Sequence, residues 1–146
     1  MIAYVDTSAL VKLAVDEVGS REMRELWDEG LPTAASAIGY SELCCALAGV
    51  VRSGRLPVAA ADQVLELANG IWKRIVTIGA EGVLARHAGA LGARHALRAL
   101  DAIHVATALT LAEAGPIVVS WDRRLRRAAR AEGLPVYPET TTAALR

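Results

Sequence analysis

Residues 2–18 read IAYVDTSALVKLAVDEV, a short apolar run followed by a longer amphipathic one. The first part, Ile2–Val5, is apolar and partly β-branched, which predicts a buried β-strand. In the second part apolar residues recur at helical spacing from Leu10 to Ala14, which predicts a helix over Ser8–Val18. A strand that passes directly into a helix is typical of a β-α-β unit, so this stretch favours an α/β fold with a parallel sheet.

The same alternation continues along the rest of the chain. Further strands are predicted at Thr33–Ser36, Lys73–Ile78, Ile117–Ser120 and Pro135–Tyr137. Helices are predicted over Arg21–Glu29, Gly39–Ser53, Val58–Asn69, Ala80–Ala96, Leu97–Ala114 and Asp122–Glu132. Apolar strands alternating with helices indicate a three-layer α/β/α sandwich with a central parallel sheet of about five strands. The tail after Pro138 is expected to be loosely held.

Length and composition limit the class of protein. The 146 residues suit one domain, taken as residues 1–146, and a hydrophobic fraction of 53% excludes a disordered chain. The formal net charge is zero, so an anionic partner has to be held by a local basic patch. Polar residues interrupt the longest apolar stretch and no basic leader is present, so we expect neither a membrane span nor a signal peptide. Adjacent Cys44 and Cys45 offer no disulfide framework, so we expect a reduced, cytoplasmic protein.

Four acidic residues occupy apolar surroundings in the sequence. Asp6 and Asp122 each follow a predicted strand, whereas Glu42 and Asp101 interrupt predicted apolar helices. An unpaired buried carboxylate is costly or takes up a proton, so acids at such positions need a reason. Ligands of open α/β sheets bind outside the carboxyl ends of the strands, where Asp6 and Asp122 are expected. The two helices are placed to deliver Glu42 and Asp101 to the same crevice.

Convergent acids repel one another until a cation lies between them. Oxygen-only ligands favour a hard cation, so the sequence predicts a Mg²⁺ or Mn²⁺ site. Such an ion lowers the pKa of bound water and stabilises charge on a phosphodiester, which is the chemistry of metal-dependent nucleases. The alternative is structural, with each acid capping a helix or pairing with an arginine. Capping suits Asp6 and Asp122 better than Glu42 and Asp101, which lie inside their predicted helices.

Several segments, taken together, resemble the PIN-domain family. They are DTSALVKL at residues 6–13, LDAIHVATA at residues 100–108 and SWD at residues 120–122, with Glu42 standing alone between the first two. The resemblance spans nearly the whole chain and points to the VapC-type ribonuclease toxins of type II toxin–antitoxin pairs. It implies a PIN-like fold and a metal-dependent endoribonuclease, a hydrolase of RNA. It also implies a homodimer that a VapB-like antitoxin silences by inserting a segment near the active site.

The resemblance further implies roles for individual residues. Asp6 and Asp101 would be the main ligands of Mg²⁺ (or Mn²⁺), and Glu42 and Asp122 would complete the acidic pocket directly or through water. All four acids would be catalytic. The polar positions that would steady the pocket or the substrate phosphate are Thr7, Ser8 and Ser120.

Basic residues near the acids are open to two interpretations. The last predicted helix carries five arginines, Arg123, Arg124, Arg126, Arg127 and Arg130. They either hold RNA phosphates beside Asp122 or form a solvated face. The candidates for phosphate contacts are Lys12, Arg123, Arg124 and Arg127; Lys12 is otherwise an exposed surface lysine. His104 lies three residues after Asp101, and we expect a hydrogen-bonded core histidine rather than a catalytic base.

Single positions in the sequence argue against three other classes of α/β protein. A Mg²⁺-dependent phosphatase of the haloacid-dehalogenase type wants a second aspartate two residues after the first, where this chain has Ser8. A phospho-receiver module needs an aspartate after a middle strand, and residues 77–79 contain none. A Rossmann module needs a glycine-rich turn after the first strand, and residues 7–10 lack one. A PIN module that binds RNA or protein without cutting stays open, although the complete set of four acids argues against it.

Overall fold

The computed structural model describes residues 1–140. Within this part of the chain the five strands are β1 (Ile2–Val5), β2 (Thr33–Ser36), β3 (Ile75–Ile78), β4 (Pro116–Val119) and β5 (Val136–Tyr137). The seven α-helices of the same residues are α1 (Thr7–Ala14), α2 (Ser20–Asp28), α3 (Ile38–Arg52), α4 (Val64–Trp72), α5 (Gly82–His95), α6 (Ala99–Leu109) and α7 (Arg123–Ala131). Short 3₁₀ helices lie at Val58–Gln63 and Ala112–Ala114.

The strands form one parallel sheet in the order β3-β2-β1-β4-β5. β1 is central, because Tyr4 pairs with Ala34 of β2 on one side and with Val118 of β4 on the other. The chain winds outward from β1 through β2 and β3, and then returns to the opposite side of β1 to form β4. The winding direction therefore reverses between β1 and β4, and such a reversal opens a crevice at the carboxyl ends of the two strands.

The helices cover the sheet in two layers, each with its own apolar core. Helices α1 to α4 pack on one face through buried residues that include Leu10 and Leu47. Helices α5 to α7 pack on the other face through residues that include Leu125. Neighbouring residues of β1 point into different cores, Tyr4 into the second and Val5 into the first. The predicted three-layer α/β/α sandwich with a parallel sheet of five strands is confirmed.

The first helix ends earlier than the sequence predicts. The helix predicted over Ser8–Val18 ends at Ala14, and Val15 is extended. The side chain of Ser20 explains the early end. Its Oγ donates to the carbonyl of Val15 (2.8 Å) and accepts the N–H of Glu17 (3.0 Å), which stabilises a turn in place of another helical turn.

A second difference concerns the helix predicted over Val58–Asn69. The segment Val58–Gln63 is a 3₁₀ helix, and α4 begins only at Val64. In α4 the residues Val64, Ala68 and Ile71 are buried, whereas the 3₁₀ segment contributes no buried residue. Helices in proteins gain most of their stability from packing an apolar face, so the unpacked residues form only short 3₁₀ turns.

Most of the remaining boundaries agree with the sequence to within two residues. The other predicted strands are present within two residues of their predicted ends. The helix predicted over Leu97–Ala114 is an exception, because the observed α6 spans only Ala99–Leu109 and a 3₁₀ turn follows it. None of the helices in residues 1–140 combines the length and apolar character that crossing a membrane requires. The prediction of a loosely held tail after Pro138 falls largely on residues 141–146, which lie outside the described residues.

Candidate active site

Asp6 lies in the crevice between β1 and β4 and caps α1. Its Oδ1 accepts the N–H of Ala9 (3.0 Å) and the hydroxyl of Ser8 (2.7 Å), while its Oδ2 accepts the hydroxyl of Ser120 (2.6 Å). The residue is only 3% exposed. Burial raises the pKa of Asp6 above its ordinary value, although His104 and these hydrogen bonds oppose the shift. The end of the central strand therefore holds a carboxyl group that resists ionisation.

Ser8 and Ser120 join the two strands of the crevice around Asp6. The backbone N–H of Trp121 donates to Ser8 Oγ (2.8 Å), and the N–H of Asp122 donates to Ser120 Oγ (3.0 Å). The two serine oxygens are 3.4 Å apart. The start of α1 and the end of β4 thus share one polar network that contains Asp6.

Glu42 projects from the interior of α3 and contacts two other helices. Its Oε2 accepts the hydroxyl of Thr7 (2.8 Å), the first residue of α1, and lies 2.7 Å from Nε2 of His104 in α6. Burial opposes ionisation of Glu42, but His104 and Thr7 together hold its pKa below the ordinary value. His104 is 2% exposed and also lies 2.8 Å from the Tyr4 hydroxyl, which confirms the prediction of a hydrogen-bonded core histidine.

The sequence predicts Asp101 in the interior of a helix, but in the structure it lies in the first turn of α6. The helix begins at Ala99, so Asp101 is its third residue. The dipole of a helix favours a carboxylate in the first turn. Burial nevertheless raises the pKa of Asp101 above its ordinary value, and the charges of Asp122 and Glu42 add to the increase. Asp101 is therefore electrostatically coupled to two of the other acids.

Asp122 is the N-cap of α7 and lines an open cleft. Its Oδ1 accepts the N–H groups of Arg124 (2.8 Å) and Leu125 (2.9 Å), so Asp122 caps its helix as Asp6 does. The cleft has a volume of about 380 Å³ and also contains Asp101. Its other lining residues are Arg98, Trp121, Arg123 and Arg124. Two acids thus face a space bordered by positive charge.

The four acids lie at one edge of the sheet without forming a closed set of metal ligands. In residues 1–140, no three His, Cys, Asp or Glu side chains are arranged so that they could hold an ion as they stand. Mg²⁺ usually keeps several water molecules and binds only one or two carboxylates directly. The oxygen-only donors at this edge, with Asp101 coupled to Asp122 and Glu42, fit a largely hydrated ion of that kind.

The sequence matches the profile of the PIN-domain family over residues 3–131. The chain belongs to the PIN-domain family. Ribonuclease VapC45 of Mycobacterium tuberculosis (strain CDC 1551 / Oshkosh) is 35% identical to this PIN domain over 137 residues, which cover 94% of this chain and 95% of that protein. The family resemblance noted from the sequence is confirmed.

Solved structures share the fold of this PIN domain. VapBC-1 from nontypeable Haemophilus influenzae superposes with a TM-score of 0.64 at 16% identity, covering 93% of this chain and 96% of that one. A toxin–antitoxin complex from Klebsiella pneumoniae gives a TM-score of 0.59 at 19% identity, covering 82% of this chain and 86% of that one. At these identities the likeness concerns the fold alone, and it confirms the PIN-like fold.

Lys12 of this PIN domain is neither exposed nor free to contact phosphate. It is buried, and its Nζ donates to Glu17 Oε1 (2.7 Å) and to the carbonyl of Val18 (2.8 Å). The same Nζ lies 5.1 Å from the ring centre of Trp121. Both interpretations of Lys12 are wrong, because α1 ends at Ala14 and the following turn folds over the lysine. The local sequence does not reveal that turn.

The basic face of α7 is smaller than the sequence predicts. Its exposed arginines are Arg123, Arg124, Arg127 and Arg130. Arg126 is 3% exposed, and it donates to the carbonyls of Ser120 (2.7 Å) and Pro138 (2.6 Å). Its place on an exposed basic face, which both interpretations of the helix assume, is wrong, because the side chain stabilises the end of β4 from inside the protein. A count of arginines along the sequence cannot separate these two environments.

Two residues near the acids were not singled out from the sequence. The Tyr4 hydroxyl contacts His104 from the central strand, and Arg98 lines the cleft beside Asp101. The charge of Arg98 favours the ionised form of Asp101. The position of Arg98, three residues before Asp101, could have indicated its role from the sequence. Nothing in the sequence indicates the contact of Tyr4, because strand periodicity shows that a residue is buried but not which distant side chain it meets.

Proposed function

We propose that this PIN domain is a metal-dependent endoribonuclease, the toxic component of a VapBC-like toxin–antitoxin pair. The observation that carries the proposal is a buried, hydrogen-bonded carboxyl group at the switch point of the sheet, with three half-buried acids at the same edge and an arginine-lined cleft beside them. The acids are Asp6, Glu42, Asp101 and Asp122. The relative in Mycobacterium tuberculosis is named a ribonuclease, and that name supports RNA as the substrate. The proposed reaction is hydrolysis of an RNA phosphodiester bond.

The proposed cofactor is Mg²⁺ or Mn²⁺. Asp6 and Asp101 would hold the ion, and Glu42 and Asp122 would complete the pocket directly or through water. When bound, the ion supplies the Lewis acid that activates water and stabilises charge on the phosphodiester. The raised pKa values of Asp6 and Asp101 support a cation at this edge, because burial disfavours their ionised forms until positive charge is close.

The neighbouring hydroxyl groups hold the acids in place. Ser8 and Ser120 donate to different oxygens of Asp6, which fixes the plane of its carboxylate. Thr7 donates to one oxygen of Glu42 and so restricts the rotation of that side chain. Groups that are already oriented need little rearrangement when substrate arrives, which lowers the barrier to the reaction.

Arginines around the cleft provide the attraction for RNA phosphates. The net charge of the chain is zero, so this attraction is local. The proposed phosphate contacts are Arg98, Arg123, Arg124 and Arg127. The first three line the cleft, and Arg127 is exposed on the next turn of α7. The planar guanidinium group suits this role, since it binds phosphate oxygens through two parallel hydrogen bonds.

The proposed partners are RNA, a VapB-like antitoxin and a second copy of this chain. The protein from Klebsiella pneumoniae with the same fold is a toxin–antitoxin complex, which supports an antitoxin as partner. The proposed antitoxin covers the cleft. We place the homodimer in the cytoplasm, where cellular RNA is found, and treat residues 1–146 as one nuclease domain.

Purified protein and cellular RNA test the proposal. RNA is incubated with Mg²⁺, Mn²⁺ or EDTA, and the new RNA ends are sequenced. We expect cleavage with either ion, none in EDTA, and none by Asp6→Asn. Expression without an antitoxin should arrest growth for the wild type but not for Asp6→Asn at equal abundance. Cutting that persists in EDTA and in Asp6→Asn contradicts the proposal, as does RNA binding without any cutting.

A further inference from the structure

Three side chains form a hydrogen-bonded row from the central strand to Glu42. The Tyr4 hydroxyl lies 2.8 Å from Nδ1 of His104, and Nε2 of His104 lies 2.7 Å from Oε2 of Glu42. Tyr4 is 0% exposed and His104 is 2% exposed, so water does not compete for these contacts. The two rings meet edge to face, with centroids 6.1 Å apart. The row therefore joins β1, α6 and α3 at the base of the acidic edge.

We infer that His104 is a positioning residue for Glu42, and that Tyr4 keeps its imidazole in the tautomer with the proton on Nε2. This inference rests on the proposed function, because it assigns His104 to the placement of one of the proposed catalytic acids. It gives a function to the hydrogen bonds of a residue that is otherwise a buried histidine of the core.

The donors and acceptors of the row define the tautomer. A carboxylate oxygen only accepts, so Nε2 of His104 carries the hydrogen in its contact with Glu42. In a neutral imidazole the other nitrogen is then an acceptor, and the protonated Tyr4 hydroxyl supplies its donor. The order of donation runs from Tyr4 to His104 to Glu42. Without Tyr4, Glu42 alone would favour this tautomer, because Nδ1 would lose its donor.

Glu42 is held by two tethers at a single oxygen. Thr7 Oγ1 donates to the same Oε2 (2.8 Å) that contacts His104. The two donors belong to different helices, so together they restrict rotation of a side chain that has three flexible torsions.

The effect on the proposed site follows from this geometry. Groups that orient a ligating side chain typically change metal affinity or activity by about 10- to 100-fold when they are removed. We expect His104→Ala to weaken Mn²⁺ binding by about tenfold or more and to lower kcat, with little change in KM for RNA. His104→Gln keeps an N–H near the former Nε2 and should recover most of the loss. Tyr4→Phe should have a smaller effect in the same direction.

Two measurements on the folded variants test the inference. The ¹⁵N spectrum of the imidazoles in metal-free protein should show Nε2 of His104 protonated in the wild type, with more of the other tautomer in Tyr4→Phe. Calorimetric titration with Mn²⁺ compares wild type, His104→Ala and His104→Gln. The matched control is His95→Gln, since His95 contacts Glu132 at 2.5 Å and lies outside the acidic edge. We expect wild-type Mn²⁺ affinity for that control.

The outcomes separate this inference from the proposed function. A wild-type spectrum with Nδ1 of His104 protonated overturns the inference, and so does His104→Ala that binds Mn²⁺ and cuts RNA like the wild type. If the wild type cuts no RNA while His104→Ala still weakens Mn²⁺ binding and His104→Gln restores it, the proposed function fails and the positioning of Glu42 stands. If His104→Ala does not fold, Tyr4→Phe decides, since an unchanged tautomer and an unchanged Mn²⁺ affinity in that variant overturn the inference.

Discussion

Carboxylates in two regions of this PIN domain meet opposite surroundings. In the turn after α1, Glu17 pairs with Lys12 Nζ (2.7 Å) and with Arg55 Nη2 (2.9 Å). Burial opposes ionisation of Glu17, but the two cations hold its pKa below the ordinary value. The ionised form of Glu17 therefore stabilises the folded state.

At the acidic edge, no Lys or Arg side chain within residues 1–140 forms a salt bridge with any of the four acids, and only His104 pairs with Glu42. Asp6 is held by serine hydroxyls and a backbone N–H, and Asp101 faces Asp122. Burial raises the pKa of both Asp6 and Asp101. The turn therefore uses charge to stabilise the fold, whereas Asp6 and Asp101 at the edge carry charge only at a cost to stability. Perturbed acids of the second kind are typical of functional sites.

The largest expected effect comes from substituting one acid in each region. Asp6→Asn should reduce RNA cleavage by about 100-fold or more, because we propose Asp6 as a direct metal ligand, and a ligand matters at least as much as the groups that orient it. The same change should raise the Tm, since it removes a buried charge. Glu17→Gln should leave cleavage unchanged and destabilise the fold by about 1–3 kcal/mol, because Lys12 stays buried without a charged partner. Cleavage assays and thermal unfolding measure both variants.

The Tm values of these two variants test whether the two regions differ in this way. A lower Tm for Asp6→Asn would show that its hydrogen bonds to Ser8 and Ser120 outweigh the cost of the buried charge. An unchanged Tm for Glu17→Gln would show that the ion pairs of the turn contribute nothing to stability.

Divalent metal should offset the electrostatic cost of the acids at the edge, and this effect should not depend on Glu17 in the turn. At a concentration 100 times its Kd, an ion that binds only the folded state adds about 2.7 kcal/mol of stability. Thermal unfolding with Mg²⁺ or Mn²⁺ should show this gain for the wild type and for Glu17→Gln. It should be much smaller for Asp101→Asn. An equal gain in all three proteins would place the ion away from Asp101.

The arginines of α7 provide a second contrast between fold and function. Arg126→Met should destabilise the protein by about 1–3 kcal/mol, since it leaves the buried carbonyl of Ser120 without its donor. Arg123→Ala with Arg127→Ala should instead weaken RNA binding and reduce its salt slope by roughly one unit for each lost phosphate contact. Urea unfolding and RNA titration at several salt concentrations measure the two effects. Unchanged RNA affinity and salt slope in the double variant would mean that α7 presents only a solvated face.

The smallest effect concerns the pH dependence of stability. The folded state raises the pKa of Asp6 above 3.8, so it binds more protons than the unfolded state and loses stability as pH rises through the raised value. Glu17 has the opposite sign, since its folded pKa lies below 4.5 and its contribution is lost as pH falls through that lower value. The stability difference between wild type and Asp6→Asn should therefore grow in favour of the variant toward neutral pH. Urea unfolding across the acidic range would contradict this sign if the gap narrowed instead.

The local sequence predicts the strands and helices well, but it predicts less well which side chains are buried. Strand Ile2–Val5 has the same bounds in sequence and structure, because a short β-branched run has few alternatives. Helix α1 ends early because the side chain of Ser20 stabilises a turn. The charges of Lys12 and Arg126 predict surface positions, yet both side chains are buried against acceptors. Burial of a long basic side chain depends on acceptors elsewhere in the fold.

By itself the sequence determined the alternation of strands and helices, the family and the positions of Asp6 and Asp122 at strand ends. Those features follow from side-chain periodicity and from short motifs, which are local. Only the tertiary structure decided what each acid contacts. Ser120 donates to Asp6 across 114 positions of the chain, and Tyr4 contacts His104 across 100. The physical reason is that such contacts exist only after β4 has paired with β1 and α6 has packed on the sheet, and no local pattern encodes that distance.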